Sequence, residues 1–141
     1  MDRVGVFAPE TADQVRERYD SLGPTAKAVV REMARAMEFD GDEYEKRVTP
    51  AVIERAQDVL FASLLEVHVG TREEFDAWQA ETDLAVTEVG SEHVENVVWH
   101  AASVADTAVA ATYQNEQEAA VETLRRQAFG RIYREMLGEE R

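Results

Sequence analysis

The spacing of apolar positions along the chain changes once, near residue 82. Before that point the beat is helical. Thr11-Ala12-Asp13-Gln14 has the spacing of a capping box, Val15, Tyr19 and Leu22 follow at helical intervals, and Gly23-Pro24 ends the segment. Pro24 and Thr25 open a second helix with Ala26, Val29, Val30, Met33 and Met37 as its expected apolar side and Lys27, Arg31, Glu32 and Arg35 as its polar side. Asp40-Gly41-Asp42 reads as a turn before a short helical piece containing Tyr44 and Val48. Thr49-Pro50 supplies a hydroxyl N-cap followed by proline at the first helical position. Val52, Ile53, Ala56, Val59, Leu60, Ser63, Leu64 and Val67 then carry a helix toward Gly70, where a left-handed C-cap is expected. A strand over residues 64–69 competes, because Leu65, Val67 and Val69 alternate with Glu66 and His68; length favours the helix. Thr71-Arg72-Glu73-Glu74 is a second capping box, opening a short helix that turns Phe75 and Trp78 inward.

Beyond Thr82 the period falls to two. Residues 84–89 read as one strand and residues 94–101 as its hairpin partner, joined through Gly90-Ser91-Glu92-His93. Residues 107–113 alternate Val109, Ala111 and Tyr113 and suit a third strand, although their alanines also suit a helix. Asn115 is placed to cap a last helix running to about Leu137. Acidic Glu116, Glu118 and Glu122 occupy its start and Arg125, Arg126, Arg131 and Arg134 its end, which complements the helix dipole. The expected fold is therefore α+β: a helical N-terminal half, a small antiparallel β-meander of two or three strands, and a long C-terminal helix. Residues 1–141 read as a single compact domain, with residues 1–10 as an N-terminal arm.

Composition changes this picture in one respect. The chain has 141 residues, a net charge of −14 and no cysteine, which excludes a disulfide scaffold, a thiolate metal site and a cysteine nucleophile. With 45% apolar residues the acidity does not signal disorder. Among 15 basic residues only Lys27 and Lys46 are lysine, while isoleucine occurs only at positions 53 and 132. Acidic, lysine-poor and rich in small apolar groups, the chain fits a salt-adapted cytoplasmic protein. In molar salt the Debye length falls to about 3 Å and screens carboxylate repulsion, whereas in dilute buffer the same charges oppose compaction. An acidic mimic of nucleic acid is the rival, but the acids are spread along the chain rather than bunched. The first residues lack the pattern of a signal peptide, and no run reaches the ~20 apolar residues of a membrane span, so a membrane partner is not expected.

Candidate chemistry is sparse. If residues 64–69 form a strand, Glu66 and His68 share a face, and His100 at the end of the expected hairpin is placed to approach them. Glu66, His68 and His100 would then make a three-ligand site for a divalent, hydrolytic metal, although no H-E-x-x-H motif supports it. The plainer reading gives His68 to a helix C-terminus and His100 to a hydrogen bond at a sheet edge. Acidic pairs such as Glu73-Glu74, Asp40 with Asp42, and Glu139-Glu140 fall on expected polar faces or at the terminus. No nucleotide-binding glycine loop is present, and no cofactor is expected apart from that alternative metal. Helices followed by a hairpin also suggest a winged-helix DNA-binding regulator, but the arginines of the last helix do not line one edge, so nucleic acid is disfavoured. The last helix offers more apolar surface than a small sheet covers, with Phe129, Tyr133, Met136 and Leu137 as anchors for a protein partner or a second copy. The leading expectation is a non-catalytic protein that acts by association through that helix.

The segments Phe61-Ala62-Ser63-Leu64-Leu65-Glu66-Val67-His68-Val69-Gly70-Thr71-Arg72-Glu73-Glu74-Phe75 and Thr123-Leu124-Arg125-Arg126-Gln127-Ala128-Phe129-Gly130-Arg131, with Val97-Val98-Trp99-His100, resemble an uncharacterised haloarchaeal domain family. The resemblance covers nearly the whole chain and implies a habitat. It implies no activity and no site residues.

Overall fold

The computed structural model describes residues 1–138, so the Glu139-Glu140 pair lies outside the described residues. The chain forms two compact units, Met1–Val15 with Ala62–Arg141, and Arg16–Phe61. Their boundaries fall inside helices α1 (Ala12–Ser21) and α4 (Pro50–Leu64).

In the unit Arg16–Phe61, the helices α2 (Gly23–Ala36) and α3 (Gly41–Arg47) lie between the ends of α1 and α4 in sequence. The buried Tyr19 donates its hydroxyl proton to Asp58 at 2.7 Å, its carbonyl accepts from the Gln57 side chain at 2.7 Å, and its ring meets Phe61 edge-on. The start read at Thr49 is built as expected, its hydroxyl accepting from the Val52 amide. Asp40, read as part of a turn, is the N-cap of α3, its side chain accepting from the Glu43 amide. The apolar side of α2 is different. Ala26, Val30 and Ala34 are buried, while Val29, Met33 and Met37 stand exposed. The apolar arc of this helix is wider than the surface it covers.

α2 ends in a Schellman turn: Glu38 N–H donates to the Arg35 carbonyl and Phe39 N–H to the Ala34 carbonyl. Glu38 takes the left-handed conformation, φ +57°, that this turn requires and that glycine usually supplies.

The other unit holds one five-stranded mixed sheet. Its strands are β1 (Asp2–Val4), β2 (Val67–Thr71), β3 (Ala85–Val89), β4 (Asn96–Ala102) and β5 (Thr107–Tyr113), in the order β1-β2-β4-β5-β3. Only β3 with β5 is parallel. The α+β class holds, but the two- or three-stranded antiparallel meander does not. Two physical reasons account for the difference. Helix α4 stops at Leu64, whose carbonyl accepts from the amides of both Val6 and Phe7, and the residues beyond it become a strand paired on both edges. Two-sided pairing outweighs the length argument that favoured a helix through Val67. Residues 2–4, part of the expected arm, supply one of those edges.

The second reason is Arg72. Its guanidinium grips both oxygens of Glu88 at 3.1 and 2.9 Å and also donates to the carbonyls of Ser91 and Val94. This holds the residues after β3 in a wide loop, so β3 pairs with β5 and not with β4. The expected hairpin of residues 84–89 with residues 94–101 is not formed.

Helix α5 (Arg72–Glu81) packs on one face of the sheet, where Phe75 and Trp78 meet Val86, Val97, Trp99 and Ala110. Gly70 lies in β2 and is no C-cap. A Cβ there would come within 3.1 Å of the Trp99 ring, so glycine lets the indole lie across the strand. On the other face runs α6 (Gln117–Ala128), which continues through a π-helical turn, Phe129–Tyr133, into α7 (Arg134–Gly138). Glu116 is its N-cap, without a side-chain bond, in place of the expected Asn115.

The capping box at α5 is complete: Thr71 accepts from the Glu74 amide at 3.1 Å and Glu74 from the Thr71 amide at 3.0 Å. Thr71→Ala removes one half of this reciprocal pair. Urea unfolding should show a loss of about 1 kcal/mol relative to the unsubstituted chain, the usual worth of a hydroxyl cap.

Candidate functional site: the buried histidine of the central strand

Side chains alternate across a strand, so neighbours in sequence face opposite ways. His68 is the cross-strand partner of Trp99, and their rings stack at 5.4 Å with 14° between planes. His100 follows Trp99 and therefore projects from the other face. The sheet thus separates the two histidines that a joint metal site would require. Glu66 is the residue that reaches both, by different groups. Its carboxylate lies 3.6 Å from His68 Nε2, while its backbone carbonyl accepts from His100 Nδ1 at 2.6 Å.

His100 is fully buried and both ring nitrogens are engaged, Nδ1 with Glu66 and Nε2 with the Tyr133 hydroxyl at 2.7 Å. A carbonyl can only accept, so Nδ1 carries the proton. In the neutral ring Nε2 is then the acceptor and Tyr133 the donor, which is the Nδ1–H tautomer. Burial lowers the pKa of His100 and raises that of Tyr133, which keeps both groups uncharged. The chain Glu66 carbonyl–His100–Tyr133 is closed, with no lone pair on either imidazole nitrogen left for a metal.

His68 is also buried and its pKa is lowered, chiefly by burial; Glu66 opposes that shift and Arg3, opposite it on β1, adds to it. Its Nδ1 is buried without a hydrogen-bond partner, as is Trp99 Nε1. Among the described residues, no three histidine, aspartate or glutamate side chains gather as a metal site.

The stretch that carries Glu66 has no regular structure, yet its backbone is well satisfied. Glu66 N–H donates to the Phe7 carbonyl at 2.8 Å, and the Leu65 carbonyl accepts from Arg125 Nε at 2.9 Å. Arg125, Tyr133 and Phe7 were not legible as partners of this segment, since each lies about 60 residues away in sequence. The only sequence signal was that Tyr133 and Arg125 sit on the same helix.

The expected anchors of the closing helix are inside the fold. Phe129, Tyr133 and Leu137 are buried and Met136 is half-buried. The π turn, closed by Arg134 N–H to the Phe129 carbonyl, brings Phe129, Ile132 and Tyr133 to buried positions together. The surplus apolar stripe seen in the sequence is used internally, with Tyr133 serving His100.

Sheet, flanking helices and buried histidine define a small α+β domain. The chain belongs to DUF5809, a family of unknown function, whose model matches residues 6–134. No curated protein and no solved structure matches it. Among the described residues, no helix is long and apolar enough to cross a membrane.

Tyr133→Phe removes the donor and leaves Nε2 of His100 buried without a partner. Such an orphaned group costs about 1–3 kcal/mol. Denaturant unfolding at neutral pH should show that loss with the helical circular dichroism retained; an unchanged unfolding midpoint would contradict the assigned hydrogen bond.

Proposed function

We propose that this chain is a non-catalytic, salt-adapted cytoplasmic protein of haloarchaeal type that acts by associating with a second copy of itself. The surface is α2, in place of the closing helix whose anchors are buried. The observation that carries this reading is the row Val29, Met33 and Met37, at 42%, 58% and 61% exposure, four residues apart on the solvent side of α2.

The pattern suits a copy of the same helix. Residues four apart fall one above another, so an antiparallel partner sets Val29 against Met37 around Met33. At 3.6 residues per turn, Lys27, Arg31 and Arg35 project from the opposite side of α2, away from this seam. The charge nearest the seam is Glu32, and Arg35 neutralises it at 3.0 Å. Each chain carries −14, so approach is opposed in dilute buffer and allowed where salt screens it. Three side chains make a small contact, which implies a reversible dimer.

Light scattering over a concentration series in molar KCl should show the mass rising from monomer toward dimer, and less so as KCl is diluted. Met33→Glu places a charge at the centre of the seam and should hold the protein monomeric. A native chain that stays monomeric at every concentration, or a Met33→Glu variant that dimerises equally well, would reject the proposal.

A further inference from the structure

The basic side of α2 borders a concave site that the association reading does not use. A cavity of about 270 Å³ is lined by Arg31, Ala34, Arg35, Phe39 and Tyr44, all within the unit Arg16–Phe61. We propose that this cavity binds a small organic anion, an aromatic ring bearing a phosphate or a carboxylate.

Three features of the site converge on that chemistry. The first is charge. In a chain of net −14, two basic residues of α2, Arg31 and Arg35, line the site, and the helix has a single acid, Glu32. Arg35 is already bound to Glu32, and Arg47 to Glu43 at 2.6 Å. Arg31 makes no ion pair or hydrogen bond among the described residues, so its planar fork of donors is free for an oxyanion.

The second feature is the pair of aromatic walls. The Schellman turn folds Phe39 back beside Ala34, and it does so through a glutamate held at φ +57° where glycine is usual. Arg47 lies 5.7 Å over the Phe39 ring, supporting it from the side of α3. Tyr44, on the first turns of α3, completes the lining opposite α2. An aromatic ring can stack against such walls while its acidic group reaches Arg31.

The third feature is size. A volume of about 270 Å³ admits a ring with one acidic substituent and is at the lower limit for small-molecule sites.

The site lies on the side of α2 opposite Met33, so its test is separate from the oligomeric state. Isothermal titration uses the full chain at the lowest KCl concentration that preserves its circular dichroism. Three probes are compared: phenyl phosphate, benzoate and inorganic phosphate. Saturable binding of phenyl phosphate or benzoate, at least tenfold tighter than phosphate, is expected; the stronger of the two identifies the acidic group. Arg31→Ala, an exposed change, should weaken that probe at least tenfold, and Phe39→Leu should bring it close to phosphate. No saturation by either aromatic probe, equal binding of phosphate, or unchanged affinity in Arg31→Ala with intact circular dichroism would overturn the proposal.

Discussion

The hydrogen-bonded chain from the Glu66 carbonyl through His100 to Tyr133 ties together three parts of the unit that the sequence keeps far apart. Glu66 lies between α4 and β2, His100 lies on the central strand β4, and Tyr133 lies in the wide turn of the closing helix. A carbonyl outside a ladder and a buried imidazole are each costly when left alone. Together with a tyrosine hydroxyl they satisfy one another. The strand alternation of β4 then decides the rest. With His100 committed to the face of the closing helix, Trp99 must face α5, where it gathers Phe75, Trp78 and the ring of His68.

This arrangement explains how His100 serves the fold. A histidine whose nitrogens both have partners holds elements in place and fixes their register. The same logic applies to Arg72. An arginine at a helix start binds Glu88 through both oxygens and sets how far the chain travels before β4, and so which strands become neighbours. Four polar side chains (His100, Tyr133, Arg72 and Glu88) and one carbonyl thus fix much of the topology of a unit whose core is otherwise aliphatic and aromatic.

What was legible in the sequence was local. Thr71 with Glu74 and Thr49 with Pro50 announce helix starts because a cap is a contact between residues three apart. The strands at 85–89, 96–102 and 107–113 show in their period of two. Pairing was not legible. Whether β3 joins β4 or β5 depends on Arg72 reaching across sixteen residues to Glu88, and whether residues 67–71 join a sheet depends on Asp2–Val4 arriving from the N-terminus. Surface was misjudged for a related reason. Apolar stripes on α2 and on the closing helix look alike in sequence, yet the first is exposed at Met33 and Met37 and the second is buried at Phe129 and Tyr133. Neither the free arginine nor the aromatic walls of the α2–α3 cavity form a motif, because Arg31 and Tyr44 meet only after the chain turns at Glu38.

The central claim is that His100 is a neutral acceptor held between a carbonyl and a hydroxyl. Because burial lowers its pKa, the unfolded chain takes up a proton near the ordinary histidine value of 6.5 before the folded chain does; stability is full above that pH and declines as pH falls below it. Nitrogen-15 NMR of the imidazole ring reads this state directly. At neutral pH the account predicts His100 uncharged, with its proton on Nδ1 and Nε2 accepting a hydrogen bond. A ring protonated on both nitrogens at that pH, or a neutral ring carrying its proton on Nε2, would contradict it.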